Sequence, residues 1–296
     1  MGLVERFETI AQIRDHIRRQ RTDGKKVAFV PTMGALHDGH RSCVDVAREM
    51  SDHVVVSIFV NPTQFGPKED FSKYPRPVDK DLALCERWGV DAVFIPDAHE
   101  IYPAKQEVWV EVGRFSEPLC GRLRVGHFRG VATVVLKLFD IVQPDSAVFG
   151  QKDAQQAVVI HEMVKQLDLP VRVALSPTAR ESDGLARSSR NSYLSAEDRG
   201  LAPWIYRSLL RGKEIVTRGE RDPVRVTGEV RRHMETHGIG DIEYVELLNA
   251  QDLLVPARVG GRVLLAVAAR VGTTRLIDNI VLDVGDDGRV EETMLF

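Results

Sequence analysis

The sequence predicts an α/β protein with two domains: a parallel sheet covered by helices on both faces, then a smaller α+β domain. Two observations support this prediction. Short, almost continuously apolar segments alternate with helical patterns over the first 175 residues, which is typical of a parallel sheet buried on both faces. After about residue 195 the pattern changes to helices followed by alternating strands. We expect the domains to span residues 1–178 and 179–296.

The individual elements follow from the same patterns. Apolar runs predict strands at Val27–Val30, Val54–Val60, Ala92–Ile95, Ala147–Phe149 and Val171–Leu175. Helical periodicity predicts helices at roughly residues 40–50, 79–88, 130–142 and 154–167. In the second domain a capping box at Ser195 opens a helix that Pro203 can kink. A further helix at Pro223–Thr236 precedes strands at Ile242–Leu248, Val263–Val271 and Leu276–Leu282, and the turn at residues 271–274 indicates an antiparallel hairpin.

Composition excludes several classes of function. With 43% hydrophobic and 28% charged residues the chain resembles an ordinary globular protein. A net charge of −3 gives no electrostatic signature of a nucleic-acid partner, and no apolar stretch approaches the ~20 residues of a membrane span. Three cysteines without CxxC spacing indicate neither a disulfide framework nor a zinc site. We therefore expect a cytoplasmic protein with no nucleic-acid or membrane partner.

The segment from Pro31 to His40 is the most informative motif. A proline and a glycine break an apolar strand, and two histidines, three residues apart, follow where a helix is expected to begin. The backbone N–H groups and the positive end of the helix dipole at such a turn favour phosphate, and the imidazoles add donors. The alternative is a sharp strand-to-helix turn with two satisfied surface histidines.

Two later segments carry groups suited to phosphate. In Gly150–Gln156, Lys152 supplies a mobile positive charge and Asp153 either caps the helix or holds Mg²⁺ among phosphate oxygens. Arg187–Asn191 offers two hydroxyls and flanking guanidiniums that can wrap a triphosphate, although a flexible linker has the same composition. Ligands bind outside the carboxyl ends of parallel strands. The loops that begin at Pro31, Asn61 and Gly150 should therefore gather at one edge of the sheet.

Three further features allow both a functional and a structural interpretation. Gln64 follows an Asn-Pro turn and can bind a hydroxyl or carboxylate of a small substrate, or simply belong to a loop. His127 opens an apolar helix and is more consistent with a structural role. The acidic residues Asp79 and Asp81 could touch a metal, but the charge preference of a first helical turn explains them better.

Together these motifs resemble the pantothenate synthetase (pantoate–β-alanine ligase) family, a member of the HxGH nucleotidyltransferase superfamily. The blocks that carry the resemblance, in order, are Pro31–His40, Phe59–Phe65, Gly126–Gly130, Gly150–Gln156, Ser188–Asn191 and, more loosely, Gly272–Asn279. The resemblance implies a Rossmann-like nucleotide-binding domain with a smaller C-terminal lid, assembled as a homodimer. It also implies two steps: pantoate attacks the α-phosphate of Mg·ATP to form pantoyl adenylate and pyrophosphate, and β-alanine then displaces AMP to give pantothenate.

The resemblance further implies roles for the matching residues. His40 is the expected general acid, with His37 and Lys152 beside it as catalytic groups. The residues expected to bind ATP are Met33, Gly34, Ala35, Leu36, His37, Asp38, Gly39, His40, Gly150, Gln151, Lys152, Asp153, Ala179, Arg187, Ser188, Ser189 and Arg190. Gln64 and Gln156 are expected to hold pantoate, and Gln64 also reaches β-alanine. Mg²⁺ accompanies ATP, with Asp153 and Asp81 as candidate ligands.

Three alternatives remain open at the level of sequence. An HxGH turn also serves nucleotidyltransferases that form dinucleotides and aminoacyl-tRNA synthetases. The latter normally need a basic tRNA-binding surface, which a net charge of −3 does not favour. The third alternative is a non-catalytic nucleotide sensor with the same fold. A sensor would not need all of the candidate catalytic and phosphate-binding residues, which are His37, His40, Lys152 and Arg190.

Overall fold

The computed structural model describes residues 4–67 and 69–296, which form two compact units. The first unit comprises residues up to Glu117, Gly121–Gly150 and Gln156–Ser176, and the second comprises Pro118–Cys120, Gln151–Gln155 and Pro177–Phe296. Residues 118–120 and 151–155 thus belong to the second unit, although they precede the expected boundary. The domain division at residues 178 and 179 stays a prediction.

The first unit contains a six-stranded sheet in which every pair of neighbours is parallel. Its strands are β1 (Glu5–Phe7), β2 (Val27–Thr32), β3 (His53–Ile58), β4 (Ala92–Phe94), β5 (Ser146–Gly150) and β6 (Arg172–Ser176), in the spatial order β1-β4-β3-β2-β5-β6. The strand order reverses between β2 and β5. In open parallel sheets this reversal creates a crevice at the carboxyl ends of the two strands, where ligands bind.

Helices connect these strands and cover both faces of the sheet. They are α1 (Ile10–Thr22), α2 (Asp38–Met50), α3 (Val78–Trp88), α4 (Ala98–Ile101), α5 (Cys120–Leu123), α6 (His127–Val142) and α7 (Ala154–Gln166). Val44 of α2 and Cys85 of α3 share a buried cluster with alternate residues of β2 and β3. On the opposite face Phe139 of α6 meets Phe149 of β5 edge to face. The predicted α/β class with a parallel sheet is confirmed.

The second unit is built on a four-stranded antiparallel sheet. Its elements are α8 (Ala196–Leu201), α9 (Trp204–Thr217), α10 (Pro223–Thr236), β7 (Asp241–Asn249), β8 (Gly261–Val271), β9 (Thr274–Val284) and β10 (Val290–Thr293), with the strands in the order β10-β9-β8-β7. Every second residue of β8, from Val263 to Ala269, packs in one cluster with Leu209 of α9 and Val230 of α10. The period of two therefore directs one face of the sheet onto these two helices.

Turn chemistry explains two features of this unit. Ser195 caps α8 as predicted, and the helical hydrogen bonding is interrupted at Ala202 and Pro203, which both keep right-handed helical dihedrals before α9 begins at Trp204. A proline inside a helix lacks the N–H that the preceding turn needs. Between β8 and β9, Val271 pairs with Thr274, and Gly272 at the first loop position has φ of +58°. A two-residue hairpin with glycine at that position fits a type II′ turn, and the predicted hairpin is confirmed.

No helix in residues 4–67 or 69–296 combines the length and the apolarity needed to cross a bilayer.

Two histidines form a buried pair inside the first unit. Nε2 of His16 in α1 lies 2.9 Å from Nε2 of His53 in β3, and both side chains are almost completely buried. Such a contact requires one ring nitrogen to carry a proton and the other to be bare. Burial lowers the pKa of both residues, against the opposing charges of Glu5 and Asp91. The folded state therefore favours neutral imidazoles.

This pair should make folding stability depend on pH below neutrality. Because the folded pKa values lie below the unfolded value of about 6.5, the unfolded chain binds more protons as the pH falls through that value. For each proton that the unfolded chain binds and the folded chain does not, the free energy of unfolding falls by about 1.4 kcal/mol for every pH unit. We expect the thermal midpoint to fall between pH 7.5 and 5.5, and to fall less in a His16→Leu/His53→Leu double variant. Parallel losses in the two proteins would remove the pair as the cause.

Candidate active site

The turn between β2 and α2 is shaped by a buried carboxylate. Gly34 and Ala35 both adopt left-handed conformations, with φ of +77° and +50°. A Cβ atom at position 34 would lie only 2.9 Å from Oδ2 of Asp81 and from a methyl carbon of Ile58. The two Asp81 oxygens accept the N–H groups of Ala35 and Leu36, each at 2.8 Å. Glycine is therefore required at position 34 by both conformation and space.

Asp81 supports the turn from the first turn of α3. It is buried at the start of α3, and burial raises its pKa while the two N–H donors oppose that shift. Both carboxylate oxygens already serve the turn, which explains the burial of an acidic residue without a metal ion. Among the described residues, no three or more His, Cys, Asp or Glu side chains are grouped so as to hold a metal.

The two histidines of the turn cap helix α2 with their own side chains. His37 is the N-cap residue and its Nδ1 accepts the N–H of Gly39 at 3.1 Å. Nδ1 of His40 reaches back to accept the N–H of His37 at 3.2 Å. These bonds assign the proton of each neutral ring to Nε2. The rings lie side by side, 4.2 Å apart between centroids, so the turn carries two Nε2–H donors.

This arrangement is well suited to an anion. The 13-residue helix α2 contributes the positive end of its dipole, and the capping bonds hold each imidazole in one orientation. Preorganised donors of this kind stabilise charge that develops during a reaction without reorganising. The alternative of a strand-to-helix turn with two satisfied histidines is consistent with the same Nδ1 contacts.

Gln64 lies beside the same turn. Its Nε2 is 3.1 Å from the Met33 sulfur, and its Oε1 accepts a hydrogen bond of 3.1 Å from the Asn61 amide. Asn61 is almost fully buried, and its own oxygen accepts from the hydroxyls of Thr63 and Tyr102. The loops that leave β2 and β3 thus meet at the carboxyl edge of the sheet, as expected. Asn61 fixes the Gln64 amide, a role that an Asn-Pro turn does not reveal.

A second group of side chains holds the backbone of Gln64. Arg124 donates 2.7 and 2.6 Å bonds to the two carboxylate oxygens of Glu69 and a 3.0 Å bond to Nε2 of His127. His127 must then carry its proton on Nδ1, which donates to the Gln64 carbonyl at 2.8 Å. Although burial opposes it, Arg124 lowers the pKa of Glu69. His127 therefore has the structural role expected for it, as a support of the Gln64 loop.

Gln156, the other residue expected to bind pantoate, also lies in the first unit. It is half-buried in the first turn of α7. Gly150 ends β5, and its backbone pairs with Ser176 of β6. Gly150 therefore lies at the carboxyl end of one of the two strands that flank the reversal of strand order.

The second unit carries the other expected phosphate-binding groups. Gln151–Asp153 form a 3-10 turn in which Lys152 is half-exposed and Asp153 is exposed. A loop closes where the Arg187 N–H donates to the Ala179 carbonyl at 2.8 Å. The Ser188 hydroxyl then caps the short 3-10 helix Ser189–Tyr193 by accepting from the Arg190 N–H. The segment is folded rather than an irregular linker.

Comparison with known proteins gives a consistent result. The family model for pantoate-beta-alanine ligase matches residues 5–281. Pantothenate synthetase of Carboxydothermus hydrogenoformans is 50% identical over 279 residues, covering 94% of this chain and 99% of the relative. The Bacillus subtilis enzyme is 46% identical over 281 residues, covering 95% and 98%.

Solved structures agree with this result. Pantothenate synthetase from Thermus thermophilus superposes with a TM-score of 0.88 at 41% identity, covering 93% of this chain and 98% of that one. Pantoate-beta-alanine ligase from Francisella tularensis, complexed with beta-gamma ATP and beta-alanine, gives 0.77 at 34% identity, covering 93% and 97%.

Proposed function

The chain belongs to the pantoate–β-alanine ligase family, and we propose that it makes pantothenate in two steps that share one adenylate. A pantoate carboxylate oxygen attacks the α-phosphorus of ATP, and the bond to pyrophosphate breaks. The β-alanine nitrogen then attacks the acyl carbon of pantoyl adenylate, loses a proton and displaces AMP. The observation that carries this proposal is the pair of Nε2–H donors that His37 and His40 hold at the start of α2.

ATP is the proposed ligand of the turn from Met33 to His40. A carboxylate is a weak nucleophile that needs no deprotonation, so catalysis depends on alignment and on stabilising phosphate charge. The backbone N–H groups and helix dipole at α2 support that role. In this proposal His40 acts as general acid, and His37 donates to the phosphates from beside it. The solved Francisella tularensis relative binds beta-gamma ATP and beta-alanine.

We assign the departing pyrophosphate to cationic and hydroxyl groups of the second unit. The proposed ATP-contacting residues there are Gln151, Lys152, Asp153, Ala179, Arg187, Ser188, Ser189 and Arg190, preceded in the chain by Gly150. Lys152, Ser188, Ser189 and Arg190 would neutralise the charge that forms on pyrophosphate. Lysine and arginine supply point and bidentate charges respectively. The side chains of Lys152 and Arg190 are both half-exposed.

Gln64 and Gln156 are the proposed pantoate ligands. An amide can donate to a carboxylate and accept from a hydroxyl at the same time, and pantoate carries both groups. The contacts from Asn61 and Met33 hold the Gln64 amide in one orientation, which supports its use in alignment. We also assign Gln64 a contact with β-alanine.

Mg²⁺ fits this chain as part of the nucleotide complex. Magnesium is usually held by one or two carboxylates together with substrate phosphates and water. Asp153 is exposed next to Lys152 and can supply such a carboxylate, whereas both oxygens of Asp81 are taken by the turn. The metal would neutralise phosphate charge. We propose Asp153, and not Asp81, as its protein ligand.

Two further expectations belong to this proposal. The family resemblance implies a homodimer, and we propose that assembly for this chain. The odd number of cysteines and their spacing support a reducing, cytoplasmic location. The substrates are small molecules, and the net charge of −3 supports no nucleic-acid partner.

Pyrophosphate release tests the adenylate route directly. Purified protein with Mg·ATP and D-pantoate, but no β-alanine, should give a burst of about one equivalent per active site, because the adenylate stays bound. Adding β-alanine should convert the burst to steady turnover. Folded protein that binds ATP but gives no release with any substrate would contradict the proposal and favour a sensor. Transfer of AMP to a phosphate acceptor would instead indicate a dinucleotide-forming enzyme.

A further inference from the structure

Asn279 makes a pair of hydrogen bonds that none of the proposed roles explains. It lies buried in β9, and its Nδ2 donates to the carbonyls of Gln151 at 3.1 Å and Lys152 at 2.9 Å. Two carbonyl oxygens can only be met by the nitrogen end of the amide, so its orientation is determined by the chemistry. A strand residue thus holds the two peptide groups that flank the Cα atom of Lys152.

The same short turn is held from a second direction. The buried Gln151 side chain donates to the Thr293 carbonyl at 3.3 Å and accepts from the Leu295 N–H at 3.1 Å. Lys152 is therefore a half-exposed, flexible side chain on a backbone with little freedom. Because four rotatable bonds already separate the ammonium from the backbone, any looseness at Cα adds directly to the spread of its position.

Asn279 also contacts the anchor of the loop that leads to Arg187–Arg190. Its N–H donates to Asp278 at 2.8 Å, and its carbonyl accepts from Arg180 at 3.3 Å. Arg180 itself lies over the Tyr206 ring and forms a two-pronged ion pair with Asp278. Asn279 is therefore bonded both to the turn that carries Lys152 and to the arginine that anchors the loop leading to Arg187–Arg190.

We propose that Asn279 is a positioning residue that sets the place of the Lys152 ammonium during adenylate formation. This inference rests on the proposed role of Lys152 and deepens it. Asn279 touches no reacting atom; it acts through the two carbonyls. Without its amide, two buried acceptors lose their donor, and the turn must shift to find water. A displacement of about 1 Å at a reacting centre can cost about 100-fold in rate.

A double-mutant cycle on pantoate-dependent pyrophosphate release tests the proposal. Lys152→Ala alone should slow single-turnover release about 100- to 1000-fold, the typical loss of one charge-stabilising donor. Asn279→Ala should slow it about 10- to 100-fold in the native background but less than about 3-fold when Lys152 is already alanine, since residues that act as a unit are not additive. Asn279→Asp keeps the side-chain volume but places a carboxylate against two carbonyl oxygens, and it should slow release as much as Asn279→Ala does. The cycle can be completed with either of the two Asn279 variants, provided that it folds.

Leu282→Ala is the matched control. Leu282 lies in the same strand, but it packs into the cluster that faces α9 and α10, at a position of opposite parity to Asn279. It should lower the thermal midpoint while leaving the single-turnover rate within about 3-fold of the native value.

The possible results separate this inference from the proposed function. Suppose that Asn279→Ala slows release equally in the native protein and in Lys152→Ala, or does not slow it in the native protein. Either result would overturn the positioning role of Asn279 and would leave the proposed role of Lys152 intact. A native rate in Lys152→Ala would remove Lys152 from the proposed site, and the positioning role with it. The Lys152→Ala variant alone distinguishes these two failures.

Discussion

Replacing His40 by Asn is expected to slow pantoate-dependent pyrophosphate release about 100- to 1000-fold, with little change in thermal midpoint. The reason is that the two nitrogens of the His40 ring have different functions. Nδ1 accepts the His37 N–H and caps α2, and Nε2–H is the donor assigned to phosphate. An asparagine oxygen occupies nearly the same place as Nδ1, so the cap survives while the outer donor is lost.

A series of variants checks this division. His40→Gln retains a donor near the Nε2 position and should keep more activity than His40→Asn but cap the helix less well. His40→Ala loses both functions and should show the lower rate together with a lower melting temperature. His99→Asn, at an exposed histidine of α4, is the control and should change neither. A single-turnover rate near native in folded His40→Asn would exclude the proposed role of Nε2.

Local information explains why most of the parallel sheet was predictable. Strands β2 to β5 are short runs of mostly apolar residues that are buried on both faces, and such runs are recognisable without knowledge of the rest of the chain. In β6 only Leu175 and Ser176 are buried, but its apolar run is still recognisable. Strand β1 was missed because Glu5-Arg6-Phe7 has no apolar run. It is an edge strand that depends on pairing with β4, a contact across more than 80 residues of sequence. Helix α1, with few buried residues, was missed for a similar reason.

The candidate site divides in the same way. The turn with His37 and His40 could be read from ten consecutive residues, because proline, glycine and a helix start act locally. The groups that shape the site come from far along the chain. Asp81 binds the turn from 45 and 46 residues away, and Asn279 binds Lys152 from 127 residues away. A local sequence pattern shows which side chains are present in a segment. It does not show that Asp81 or Asn279 contacts a distant turn, because those contacts depend on how the folded chain brings distant segments together.

The second unit should be sensitive to the loss of either partner of the ion pair between Arg180 and Asp278. Their side chains are only 16% and 3% exposed, and the two bonds measure 2.7 and 3.0 Å. Burial raises the pKa of Asp278, and the adjacent guanidinium opposes that effect. Arg180 also donates to the Gly184 carbonyl. Removing one partner of a buried pair leaves the other charge without compensation, which typically costs about 3–5 kcal/mol.

We therefore expect Asp278→Ala to lower the free energy of unfolding of the second unit by about 3–5 kcal/mol. Urea unfolding followed by Trp204 fluorescence, with Trp88 and Trp109 replaced by Phe, isolates that unit because only Trp204 then reports. Asp283→Ala breaks an exposed pair of the same unit with Arg262, the two side chains being 49% and 38% exposed, and should cost less than about 1 kcal/mol. An Asp278→Ala loss as small as this control would mean that water or a neighbouring group satisfies Arg180, and that the pair does not hold the 180–187 loop.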